Sequence, residues 1–118
     1  MMTSVISVAL GGALGAVLRY LIGVSVAFPV GTLTVNIVGS FCIGLAWVFL
    51  ASKNPGLLPF IMTGILGGFT TFSTFSLDTL RLIEDGRLGF AFAYVAASVV
   101  LSLAACFAAL MLARSITA

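Results

Sequence analysis

Residues 67–76 read GGFTTFSTFS, which places two glycines, five hydroxyl residues and three phenylalanines together with no leucine, alanine or charge. A smooth lipid-facing helix is not written this way. Glycine costs roughly 1 kcal/mol in a helix interior, and Thr, Ser and Phe are middling helix formers. The stretch therefore predicts a break within a membrane span. Lipid offers no hydrogen bonds, so opened backbone at that depth has to be buried in protein or line a wet cavity. Freed carbonyls there suit a cation, freed N–H groups suit an anion, and hydroxyls serve either. In an unbroken helix the same small and hydroxyl residues would instead pack closely and bond their own backbone.

The rest of the chain sets the frame for that break. Of 118 residues, 62% are hydrophobic, only five are Lys or Arg and three are Asp or Glu, and the mean hydropathy is +1.33. Spans of about 20 residues fit four times into this length. The fold class expected is an all-α membrane protein of four transmembrane helices, the third broken at mid-membrane, with residues 1–118 forming one domain. The first 25 residues lack a basic leader and stay apolar beyond the usual signal core, so they are expected to remain as span one. Cys42 and Cys106 fall inside spans without CxxC spacing and read as buried free thiols. With no histidine and no acidic pair in a span, transition-metal and acid–base chemistry lack their parts, which points away from an enzyme.

Taken in order, span one covers about 4–28 and carries GGALGAVLRY. Gly11, Gly15, Arg19 and Gly23 recur every four residues on one face, where another backbone can come close. A cation there faces the bundle interior or a watery vestibule, or else snorkels to the interface. Span two, about 32–52, begins GTLTVNIVGSF, and Asn36, Ser40 and Gly44 make a polar, small-residue stripe. The Asn36 amide either glues two helices or offers an N–H to something passing. Span three, about 57–82, contains the break. Phe72 and Phe75 are three apart and become neighbours if that part is helical, either as packing or with their positive ring edges toward an anion. Arg81, Glu84, Asp85, Gly86 and Arg87 read as the one charged loop. Span four, about 88–113, sets Tyr94, Ser98 and Ser102 on one face over roughly 12 Å, unless the serines bond their own preceding carbonyls.

Four spans put Lys53 and Arg114 on one side and Arg81 and Arg87 on the other, so the positive-inside rule chooses no orientation. That balance suits insertion both ways round. Four short spans are also few to enclose a pathway, so an antiparallel homodimer is expected, with its two-fold axis in the membrane plane and the two breaks meeting at mid-membrane.

GGALGAVLRY, GTLTVNIVGSF and GGFTTFSTFSLD, in this order on a chain of this length, resemble the Fluc family of bacterial fluoride channels; the third motif is the specific one. The resemblance implies a multi-pass protein of the bacterial inner membrane, a dual-topology dimer that lets fluoride leave passively through two narrow pores. It implies that Phe72 and Phe75 turn ring edges to fluoride and that Asn36 lines the pore. Tyr94, Ser98 and Ser102 would form a polar track, Ser73 and Thr74 would add hydroxyls at the break, and Arg19 matches a vestibule arginine. Gly67 and Thr70 match donors of backbone carbonyls to a structural sodium ion at the dimer centre. No nucleic-acid partner is expected. Asp78 departs from the family pattern, which more often has Glu there. Fluoride is small and strongly hydrated, so a pore must replace its water with N–H and O–H donors without fixed cations that would trap it.

Two other readings compete. A dual-topology exporter of the small multidrug resistance type would need a membrane-buried carboxylate to couple cationic substrate to protons, and spans one, two and four contain no Asp or Glu. A non-transporting accessory subunit would need the glycine faces but neither the break nor the track.

Overall fold

The structure, a computed structural model, describes residues 1–117. Four helical stretches are long and apolar enough to cross a membrane: Met2–Ser25, Val30–Leu50, Pro55–Glu84 and Leu88–Thr117. The first two are α1 (Met2–Ser25) and α2 (Val30–Leu50). The third is composite. A single 3-10 turn (Pro55–Leu57) leads into a wide, π-type segment (Pro59–Leu66) and a last α-turn, α3 (Gly67–Phe69); after two extended residues comes α4 (Phe72–Glu84). The fourth span is α5 (Leu88–Thr117). Its 30 residues make about 45 Å of helix, more than the roughly 30 Å of bilayer hydrocarbon.

Local chemistry explains the ends. Thr71 caps α4, its hydroxyl accepting the Thr74 N–H at 3.1 Å, an arrangement worth about 1 kcal/mol over alanine. At the other end Gly86, at φ 77°, lets its N–H reach the Ile83 carbonyl and the Arg87 N–H the Leu82 carbonyl, at 3.0 and 2.9 Å. This left-handed glycine closure stops α4 and turns the chain into α5. The charged loop is accordingly shorter than the sequence suggested: Arg81 and Glu84 are helical, and only residues 85–87 turn. The helix continues through them because nothing breaks it before the glycine.

Glycines set the closest packing. A Cβ at Gly11 would lie 2.6 Å from the Phe60 carbonyl oxygen, one at Gly68 2.6 Å from that of Gly12, and one at Gly15 would overlap the Ile65 carbonyl. α1 thus lies backbone to backbone on the first half of the third span. Gly23, placed on the same face by its spacing, has nothing near its own Cβ position; it leaves room instead for Gly31 of α2, whose Cβ would approach it to 3.3 Å. On the other side α2 packs along α5, with Gly44 against the Cys106 carbonyl and the Ala109 methyl. Leu82, Ala91 and Tyr94 are buried where α4 meets α5. Large apolar side chains such as Leu21, Trp47, Leu80, Phe92 and Phe107 point outward, as lipid contact allows.

Candidate functional site

The break falls at Thr70 and Thr71, whose backbones are extended (φ −88°, ψ 160° and φ −155°, ψ 120°). Two residues out of helix release donors and acceptors that must be re-paired. Asn36 re-pairs both sides of Thr71. Its Oδ1 accepts the Thr71 N–H at 2.8 Å, and its Nδ2 donates to the Thr71 carbonyl at 3.0 Å. Arg19 takes another freed acceptor, Nε donating to the Gly68 carbonyl at 3.0 Å. Asn36 is therefore interhelical glue, and Arg19 is held at the break instead of snorkelling outward.

Among the carbonyls freed in the same way are those of Gly67 and Thr70. In an unbroken helix Gly67 O would accept from the Thr71 N–H and Thr70 O from the Thr74 N–H. The first N–H is drawn to Asn36 and the second to the Thr71 hydroxyl. Both carbonyls lose their helical donor, so the residues present fit a cation held by backbone oxygens.

A cavity of about 430 Å³ opens between the break, α2 and α5. Among its walls are Asn36 and Ser40 of α2, Thr70 and Thr71 of the break, and Ser98 and Ser102 of α5; Gly67, Phe72 and Phe75 also border it. The Phe72 and Phe75 rings are neighbours, their centroids 5.5 Å apart and tilted by 56°. Phe72 is 78% exposed in the single chain, while Phe75 packs on Tyr94 at 5.3 Å. The hydroxyls of Ser98 and Ser102 are buried and have no partner among the described residues. They do not bond the carbonyls one turn back, as the serine and threonine hydroxyls of Ser25, Thr34, Ser76 and Thr79 do.

Four expected site residues lie elsewhere. Tyr94 does not border this cavity; its hydroxyl sits 3.3 Å from Asp78 Oδ2. Thr74 and Arg19 border a second cavity of about 340 Å³ toward α1, together with Tyr20, Thr32 and Thr71. Ser73 borders neither, and its hydroxyl is 3.4 Å from that of Thr71. Thr71 is common to both cavities, so the break is the partition between them.

Asp78 is the residue that sequence reasoning left unplaced. It is buried, at 4% exposure, and accepts from the Thr32 hydroxyl at 2.7 Å as well as from Tyr94. One carboxylate thereby ties α2, α4 and α5 together. A signal existed: Phe75, Asp78 and Leu82 fall at i, i+3 and i+7, one face of a helix. Thr71 was likewise not singled out, though Thr71 three residues before Thr74 is an N-cap spacing; Ser40, read only as part of the stripe with Asn36 and Gly44, borders the main cavity.

A family profile described as "CrcB-like protein, Camphor Resistance (CrcB)" matches residues 6–110. The chain is 54% identical over 120 residues to a protein of Cereibacter sphaeroides named fluoride-specific ion channel FluC, covering 97% of each. Proteins of the same name from Agrobacterium fabrum and Rhodospirillum centenum are 49% and 48% identical, covering 98% and 99% of this chain and 99% and 100% of their own. The names describe ion channels, a non-enzymatic activity.

Proposed function

This chain belongs to the CrcB-like family, and from that premise we propose that it is a fluoride-selective channel that lets fluoride leave the cell passively. The observation that carries the reading is that relatives about half identical over nearly the full length are named fluoride-specific ion channels. The cavity chemistry supports it. Ser98 and Ser102 offer unclaimed hydroxyls, Phe72 and Phe75 can turn ring edges, and Asn36 keeps one amide hydrogen beyond the one given to Thr71. Donors of this kind replace the water of a small anion, and the lack of a lysine or arginine among the described residues of the cavity wall keeps the ion from being trapped.

The remaining parts of the proposal concern assembly. The chain acts as a single four-span domain, paired with a second copy in antiparallel orientation in the inner membrane of a bacterium, and each of the two pores is completed by the partner. Gly67 and Thr70 would hold a sodium ion at the dimer centre through their carbonyls. When bound, it supplies positive charge at mid-membrane without a side-chain cation. Arg19 serves the vestibule side, and Ser73, Thr74 and Tyr94 act around the break without bordering the main cavity. The exporter reading is not favoured, since Asp78 is already engaged by Thr32 and Tyr94.

Fluoride efflux from liposomes holding only the purified protein tests this, with chloride efflux as comparison. Fast fluoride loss without chloride loss is expected, and a Phe72→Ile, Phe75→Ile double variant should abolish it. A folded protein that passes no fluoride would sink the reading.

A further inference from the structure

The second and fourth of four alternating spans run in the same direction, so α2 and α5 are parallel neighbours, and their register is fixed at two points. Thr32 and Tyr94 bond the same oxygen of Asp78, which brings residues 32 and 94 to within about a turn of each other. Three turns on, a Cβ at Gly44 would lie 2.8 Å from both the Cys106 carbonyl oxygen and the Ala109 methyl, which sets residue 44 against the turn from 106 to 109. Each helix advances about 6 Å for every four residues between these points. Asn36 then falls within about a turn of Ser98, and Ser40 within about a turn of Ser102. All four border the same cavity.

From this register we infer that Ser40 is a further anion-contacting residue, a hydroxyl donor facing Ser102 across the pathway. The inference rests on the fluoride-channel reading of this cavity. Ser98, only 7% exposed, and Ser102 both carry buried hydroxyls without a protein partner. Among the described residues Ser40 has no hydrogen bond either, although a helical serine can bond the carbonyl one turn back. Ser40 and Ser102 do not bond each other, so the space between them is left for an ion or its water. Two serines on one wall would cover one side of a dehydrating anion and leave it bare on the other. Asn36 supplies the missing side near Ser98. Ser40 supplies it one turn further on, which gives the pathway two successive two-sided sites.

The position of Ser40 on α2 follows from its neighbours. A Cβ at Gly39 would overlap the methyl of Thr70, so residue 39 faces the break, while Gly44 faces α5. Ser40 lies in the crevice between these two contacts.

The test is the fluoride dependence of conductance in planar bilayers for the full-length wild type, Ser40→Ala, Ser40→Thr and Cys42→Ala. In Ser40→Ala the half-saturating fluoride concentration should rise roughly tenfold, the worth of one hydrogen bond to a charged partner. Ser40→Thr should restore it, and Cys42→Ala should leave it unchanged. In a cycle with Ser102→Ala, the double variant should fall short of the product of the two single effects, because both hydroxyls meet one ion. A conducting Ser40→Ala with the wild-type dependence would overturn the assignment, as would full additivity with Ser102→Ala. Should Ser40→Ala fail to fold, Ser40→Cys replaces it, and wild-type behaviour there overturns the assignment equally. A wild type that passes no fluoride would instead overturn the channel reading beneath it.

Discussion

Thr71 is where the third span stops being a helix, and Asn36 makes that affordable at membrane depth by satisfying both of its backbone groups. Either group left bare would cost about 1–3 kcal/mol. The amide of Asn36 is legible in the sequence as an intramembrane polar group, but its partner is 35 residues away, and only folding names it. Asp78 illustrates the same limit. Its two hydroxyl donors come from two other helices, α2 and α5, so spacing within α4 could suggest an inward face without saying what lay opposite. Asp78→Asn keeps an oxygen for Thr32 and Tyr94, so fluoride efflux should remain within about threefold of wild type, since neutral hydrogen bonds are each worth only about 1 kcal/mol. Abolished flux in a folded Asp78→Asn protein would show that the charge itself is needed, as a proton-coupled exporter requires.

Glycine placement decides how the elements meet. The GxxxG spacing of α1 announced a close approach, and Gly11 and Gly15 deliver it against Phe60, Gly64 and Ile65. Gly12, adjacent in sequence, has nothing within 4 Å of its Cβ position. The two residues should therefore respond oppositely to alanine. Gly12→Ala should be tolerated or raise stability by up to about 1 kcal/mol through helix propensity. Gly15→Ala forces the α1 backbone away from Ile65 and should destabilise by about 1–3 kcal/mol, lowering the thermal midpoint of the detergent-solubilised protein. Equal midpoints for the two variants would mean that α1 does not pack this way. The break was likewise legible as an element: the composition of 67–76 marked it, and the structure narrows it to two threonines. The wide π-type winding of Pro59–Leu66 carried no comparable signal, since its residues are ordinary for a membrane helix.

At the scale of the molecule, the proposed dual topology makes a prediction that one chain's geometry does not contain. Lys53 lies in the turn between spans two and three, and Cys42 and Cys106 are free thiols. In a Cys42→Ala, Cys106→Ala background, Lys53→Cys should be labelled to roughly half by a membrane-impermeant reagent on sealed vesicles, as balanced positive charge at the two faces implies, and fully after permeabilisation. Labelling that is all or nothing would establish a single orientation. The sequence by itself determined the number of spans, the break in the third and the polar stripes of spans two and four, because hydropathy, helix propensity and four-residue periodicity are local properties of the chain. Only the tertiary structure decided that Asn36 pairs both backbone groups of Thr71 and Arg19 the Gly68 carbonyl, that Tyr94 turns to Asp78, and that Ser40 and Ser102 border one cavity. Those outcomes depend on the register between helices distant in sequence, which is set by glycine contacts and a shared carboxylate.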